Sequence, residues 1–209
     1  YFSVPLFVAN LGPPVAVDAG PAKAPQLERG ADRIGFVVGW RAWLPLTLQG
    51  GRLLGSTSIA GSIWLPRVQS AAGCLVDPAG HDRPPVAGCS CGFWAFRSIA
   101  QLTLWRSTAS TMVFGPVALW GRVLELERGY RAAYAYPLAL FVPGSFALAR
   151  GLEELYVVPS AAIGETQTPQ SFALAMRVAL ERLITDGRVP PLPRASLRTV
   201  EEVFDPLDK

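Results

Sequence analysis

The chain has 209 residues, 50% of them hydrophobic and 17% charged, with a formal net charge of +3, so it can bury a sizeable core and is not a disordered polymer. Its mean hydropathy is positive, +0.29, yet no window offers about eighteen uninterrupted apolar residues, which excludes a membrane-spanning helix and leaves no membrane partner to expect. The nineteen basic residues include only two lysines, Lys23 and Lys209, and the arginines are spread singly; this is the bias of a GC-rich coding sequence rather than the basic stripe of a nucleic-acid binder.

The opening run Tyr1-Phe2-Ser3-Val4-Pro5 lacks the basic-then-apolar layout of a secretory signal. We therefore expect a cytoplasmic protein whose thiols stay reduced. Residues 1–32, rich in Pro and Ala, read as an irregular arm with one short strand around Phe7-Val8. A single domain is expected over residues 33–187. Ile34 to Leu44, dense in β-branched and aromatic residues and ended by Pro45, reads as a central strand. Gln49-Gly50-Gly51 turns the chain, Arg52 to Ser56 returns as a second strand, and Ile63-Trp64-Leu65 before Pro66 reads as a third.

All three cysteines and the only histidine then fall within one stretch: Cys74, His81, Cys89 and Cys91. Pro and Gly crowd the intervening residues and favour a fixed loop. Three thiolates and an imidazole match the Cys3His shell of tetrahedral structural zinc, so Zn2+ is the expected cofactor and these four residues its expected ligands. Two plainer readings compete. The cysteines could be ordinary buried thiols, although random placement rarely gathers every Cys and the sole His in so short a segment. A disulfide from Cys74 to Cys89 or Cys91 is disfavoured by the odd count and the expected reducing compartment. The spacing C-x6-H-x7-C-x-C matches no common zinc-finger pattern.

After Gly92, the stretch Phe93 to Trp105 has apolar residues at 93, 96, 99 and 102 and reads as a helix starting directly from the C-x-C knuckle. Val117 to Glu125 and Tyr130 to Tyr136, joined by Glu127-Arg128-Gly129, read as a β-hairpin. Strict alternation would put Tyr130, Ala132, Tyr134 and Tyr136 on one face, as packed aromatics or as a base-stacking surface beside Arg122 and Arg131.

Several of these motifs form a set: G-W-R-A-W at 39–43, Trp64, the Cys74 to Cys91 loop with Pro84-Pro85, Gly92-Phe93-Trp94-Ala95, L-W-G-R-V at 119–123 and G-Y-R-A-A-Y-A-Y-P at 129–137. In them the chain resembles a group of actinobacterial and mycobacteriophage-type proteins to which no activity attaches. The resemblance covers roughly residues 33 to 158. It implies one compact domain and no particular reaction.

Ser145 to Tyr156 reads as a helix capped by Ser145, and Tyr156-Val157-Val158 as a last strand. Thr168-Pro169 is an N-cap followed by Pro at the first helical position, opening a helix from Pro169 to Thr185 that Asp186-Gly187 ends. Its apolar stripe of Phe172, Met176, Leu180 and Leu183 would need cover, either from the domain or from a second chain. Residues 188–209 read as a Pro-rich linker and an acidic tail.

Catalytic patterns are missing. A zinc deaminase needs H-x-E and P-C-x-x-C, but His81 is followed by Asp82-Arg83, and no Glu lies between Glu28 and Glu125. No Walker A run, G-x-G-x-x-G after a strand or H-E-x-x-H is present. Glu153-Glu154 and Glu201-Glu202 are adjacent pairs whose side chains diverge. The expected fold is α+β: a curved, mostly antiparallel sheet or small open barrel with about three helices and a metal-stapled loop. The function that follows is a zinc-stabilised, non-catalytic adaptor or regulatory domain binding a protein partner or forming a homo-oligomer. The alternatives are a nucleic-acid-binding module using Arg and Tyr of the 117–136 hairpin, and a metal-dependent hydrolase with one open coordination position.

Overall fold

A computed structural model describes residues 29–48, 51–58, 62–74, 81, 83–105, 112–164, 168–193 and 197. The expected strand at Phe7-Val8 and the acidic tail Thr199 to Lys209 lie outside them. In chain order the elements are β1 Arg29–Leu48, β2 Gly51–Ser56, β3 Ile63–Trp64, β4 Ser70–Ala71, β5 Phe93–Phe96, α1 Ile99–Trp105, β6 Val113–Leu126, β7 Gly129–Pro137, β8 Leu140–Pro143, α2 Phe146–Tyr156, β9 Ser160–Ile163 and α3 Pro169–Thr185.

The strands join in the order β3-β2-β1-β5-β7-β6-β8-β9, with β4 also on β7 and a further pairing of β1 with β6. That last pairing, from Arg29↔Glu125 to Trp43↔Val113, closes β1, β5, β7 and β6 into a four-stranded barrel. The curvature expected from sequence is therefore present, and the barrel is closed rather than open. Every pairing is antiparallel except β8 with β9, which α2 connects as a β-α-β unit.

Alternation along β1 divides the core. Val38, Trp40 and Ala42 join one cluster with Ile99 and Leu102 of α1 and the buried stripe of α3. Trp43 joins the other, with Leu119 and Val123 of β6, Ala132 and Ala135 of β7, and Leu152 and Tyr156 of α2. Helices α1 and α3 thus cover one face of the sheet and α2 the other, the layered solution that a two-faced apolar sheet requires.

Helix α3 begins and ends where the sequence places it. Thr168 caps it in a reciprocal capping box with Ser171, and Phe172, Met176 and Leu180 are fully buried with Leu183 close behind. The stripe expected to need a partner is covered by this chain's own residues, including Val189 and Leu192 beyond the helix, so it does not supply an interface.

Two further expectations give way. Phe93–Phe96 is a strand, and the helix starts only at Ile99, with Ser98 Oγ accepting from Gln101 N at 3.4 Å. The pairing Phe93↔Ala132 to Phe96↔Gly129 satisfies backbone groups that a helix of so few residues would leave open at both ends. The expected strand at 156–158 is instead the end of α2: Val157 takes a left-handed conformation, φ 57°, and its amide donates to Glu153 O. The strand follows at Ser160.

Closure of the barrel depends on two glycines that flank Ala95. A Cβ at Gly39 would lie 2.6 Å from Ala95 Cβ, and one at Gly129 would overlap the Ala95 carbonyl. Gly129→Ala should therefore push β5 off β7 and cost about 2 kcal/mol or more, read as a fall in melting temperature with the metal content measured in parallel.

The α2 face is fastened by Tyr156, whose hydroxyl accepts from Leu54 N at 2.8 Å and donates to Trp64 O at 2.6 Å. Burial pushes its pKa up to about 12. The folded state thus holds this proton more tightly than the unfolded chain, in which Tyr ionises near pH 10. Tyr156 contributes no pH dependence below about pH 10, and its contribution to stability falls as pH rises from there toward about 12. Tyr156→Phe should lower stability by about 1–3 kcal/mol at neutral pH and flatten this alkaline slope in urea melts taken across the pH range.

Candidate metal centre

The candidate site is built on one edge of β7. Strand β4 lies on that edge through Ser70↔Ala135 and Ala71↔Tyr134, and Ala72 N continues the ladder to Ala133 O at 2.8 Å. There the chain leaves, passes through Cys74, His81, Cys89 and Cys91, and rejoins the same edge at Phe93↔Ala132. Departure and return face adjacent residues of β7, so the excursion has a narrow neck, and Cys74 and Cys91 stand on its two sides.

The four donor atoms lie within 4.8 Å of one another and could hold a metal ion. Cys74, His81 and Cys89 are half-buried and Cys91 is buried. The Cys74 and Cys89 Sγ atoms are 3.6 Å apart, far beyond a disulfide at about 2.05 Å, and no disulfide forms among the described residues. The structure thus brings together all four residues singled out from the sequence.

Local geometry aims these donors. Cys89 N donates to Val86 O at 3.2 Å, closing a turn with Gly88 at φ 78°, the positive φ such a turn demands of its third residue. Val86 N donates to Cys91 Sγ at 3.4 Å, the kind of amide-to-sulfur contact that orients a metal-bound thiolate. Gly92, at φ 108°, lets the chain drop from the knuckle into β5, and a Cβ there would meet Pro85 Cβ at 2.8 Å.

Arg131 is the residue that sequence reasoning placed wrongly. As a member of the hairpin it was a candidate nucleic-acid contact, but it is 1% exposed and cannot reach a phosphate backbone. Its Nη1 donates instead to the carbonyls of Cys89, of Cys91 at 3.2 Å and of Val86 at 3.4 Å, while its guanidinium carbon sits 5.1 Å from the centre of the Trp94 ring. One guanidinium therefore pins the backbone of the C-x-C knuckle to β7. A divalent ion with three thiolates keeps one net negative charge, so a buried cation beside it is electrostatically apt. The sequence signal was an Arg within an Ala- and Tyr-rich strand.

The expected tyrosine face is also rearranged. Ala132 and Ala135 are both buried while Tyr134 is exposed, so strict alternation breaks at the point where Gly121 and Arg122 of β6 together face Ala133. Tyr134 stacks on Trp120, centroids 6.0 Å apart, and Tyr136 donates to Tyr156 O at 2.9 Å and accepts from Arg67 N at 2.7 Å. The carboxylate pair is structural: Glu153 accepts from Ser160 N and pairs with Arg188, and Glu154 pairs with Arg150.

No protein-family model, curated protein or solved structure matches this chain.

Replacing Arg131 by Met should leave the knuckle carbonyls without their donor and weaken metal binding by about ten- to a hundredfold, measured by competition with a chelator of known affinity.

Proposed function

We propose that the protein is a zinc-stapled, non-catalytic domain, in which Cys74, His81, Cys89 and Cys91 hold one Zn2+ and the metal closes the neck of the loop. The observation that carries this reading is the convergence of all four donors within 4.8 Å. With Zn–S bonds of about 2.3 Å, a tetrahedral site has edges of about 3.7 Å, and the Cys74 to Cys89 separation is 3.6 Å. Four protein ligands leave no position for a reactive water, which separates a structural zinc from a hydrolytic one. The acid/base groups a hydrolase would use are also missing, because no Asp or Glu belongs to the cluster among the described residues.

Such a domain acts by presenting a surface, and we assign it to an adaptor or regulatory class with a protein partner. Support comes from the edge of the sheet opposite β9. Ile63 of edge strand β3 is 37% exposed, and Leu65 and Val68 just beyond it are 55% and 52% exposed. Edge strands with apolar side chains suit an added peptide strand.

The metal reading has a direct test. The purified protein should contain about one zinc per chain, and Cys91→Ser should lower stability by about 3 kcal/mol or more, because metal binding is linked to folding. In the cobalt-substituted protein the visible d–d spectrum should be that of a four-coordinate thiolate site, unchanged by added azide. A spectrum that responds to azide would reveal an open position and favour the hydrolase. A metal-free protein with an unaltered melting temperature would remove the metal altogether.

A further inference from the structure

The three cysteines of the candidate metal centre are not equivalent. Cys74 and Cys89 are half-buried, and their Sγ atoms stand 3.6 Å apart. The backbone beside each is tethered separately, by Ala72 N donating to Ala133 O of β7 and by Cys89 N donating to Val86 O. Cys91 is 6% exposed, and its Sγ accepts from Val86 N at 3.4 Å. An oxidant arriving from solvent therefore meets Cys74 and Cys89 first. Sulfurs in a disulfide are about 2.05 Å apart, so this pair has to close by about 1.5 Å.

We propose that the centre is a redox switch, in which a hydroperoxide joins Cys74 to Cys89, expels the metal and leaves the loop closed by the new bond. The expulsion rests on the zinc reading above, whereas the choice of cysteine pair rests on the geometry alone. In the first step one thiolate attacks a peroxide oxygen, the O–O bond breaks, hydroxide leaves and the sulfur becomes a sulfenic acid. In the second the other thiolate attacks that sulfur, the S–O bond breaks, a second hydroxide leaves and the disulfide forms. Two protons from solvent turn the hydroxides into water, so two thiolates, one H2O2 and two protons give one disulfide and two waters. The peroxide is the two-electron oxidant and the sulfurs are oxidised. Zn2+ keeps its charge, and His81 with Cys91 alone fall short of the four ligands of a structural site.

The loop should outlast the metal. Cys89 lies two residues before Cys91, so a bond from it to Cys74 still spans the neck, and a covalent cross-link restricts the unfolded chain in the metal's place. Arg131 holds the carbonyls of Cys89 and Cys91 through hydrogen bonds that involve no sulfur, which keeps the knuckle on β7 after oxidation.

The test treats the zinc-loaded protein with hydrogen peroxide in the presence of a chromophoric zinc indicator, then maps peptides without reduction. Cleavage before Asp77 and Asp82 separates Cys74 from the other two cysteines, and fragmentation at Ser90 assigns the linkage to Cys89 or Cys91. One zinc should be released per disulfide, the linked residues should be Cys74 and Cys89, and Cys91 should remain open to alkylation in the denatured product. A dithiol reductant with added zinc should restore the starting state, and the oxidised protein should melt higher than reduced protein stripped by a chelator. A linkage to Cys91, sulfinic acid in place of a disulfide, a disulfide formed with zinc still bound, or thiols and zinc both retained in millimolar peroxide would overturn the proposal, as would an oxidised protein melting no higher than the stripped one. A protein that holds no zinc overturns the zinc reading and the expulsion step with it, while its disulfide map still decides the pair, so the two failures are distinguishable.

Discussion

Everything around the candidate metal centre depends on one shared edge, the side of β7 on which β4 and β5 lie end to end. Two short strands on one long strand bring residues 72 and 93 to adjacent positions, and the excursion between them closes whatever its internal conformation. The segment Cys74 to Cys91 has only Pro85 and Cys91 buried among its described residues, so their burial repays little of its ordering entropy. What holds it is a neck tied by hydrogen bonds, the carbonyl clamp of Arg131, and four donors positioned to share an ion. Fixing both sides of a neck restricts the unfolded chain in the way a covalent cross-link does.

This constraint reaches further than the loop. Strand β5 follows Cys91 after a single glycine and is also one of the four barrel strands, joined to β1 only at Trp40↔Phe96 and to β7 along its whole length. The loop therefore sets where β5 begins, while the close approaches at Gly39 and Gly129 set where it can lie. In a small metal finger the ion substitutes for a core. Here a large core exists already, built on Trp43, Trp64, Phe114 and Phe141, and an ion held by the four donors would complete the barrel at its shortest strand.

Sequence reasoning reached the elements whose signals are local. Thr168-Pro169 and Gly187 bound α3, Ser145 opens α2, and the Arg128-Gly129 turn places the β6–β7 hairpin; the apolar run Ile34 to Leu44 marks only the middle of β1, which starts at Arg29 within the expected irregular arm and continues through Pro45 to Leu48, because β2 and β6 pair with it at both ends. The four donor residues were legible by co-occurrence alone, since their loop spacing matches no familiar pattern. What escaped depends on partners distant in the chain. Phe93-Trp94-Ala95-Phe96 has a helical spacing with the residues that follow, and only the waiting edge of β7 makes it a strand. The period-two reading of β7 failed where the register with β6 shifts. The α3 stripe was legible as apolar, but its cover, from α1, β1 and residues 189 and 192, was not.

The two buried arginines were invisible for the same reason, and each ties barrel strands to their neighbours. Both lie on barrel strands, both stack on a tryptophan, and both reach β5 or its lead-in. Arg131 directs one nitrogen at three carbonyls of the knuckle, so its charge is solvated by the loop it organises. Arg41 donates to one carbonyl and one hydroxyl and lies over the Trp64 ring, which fastens β1 to β2 and β5. Trp94 stands between them, giving its ring to Arg131 and its carbonyl to Arg41, and its indole N–H donates back to Ser90 O at 3.1 Å inside the knuckle. The strand that follows the Cys74 to Cys91 loop therefore meets both arginines. The loop thereby gives Arg41 its fixed surroundings.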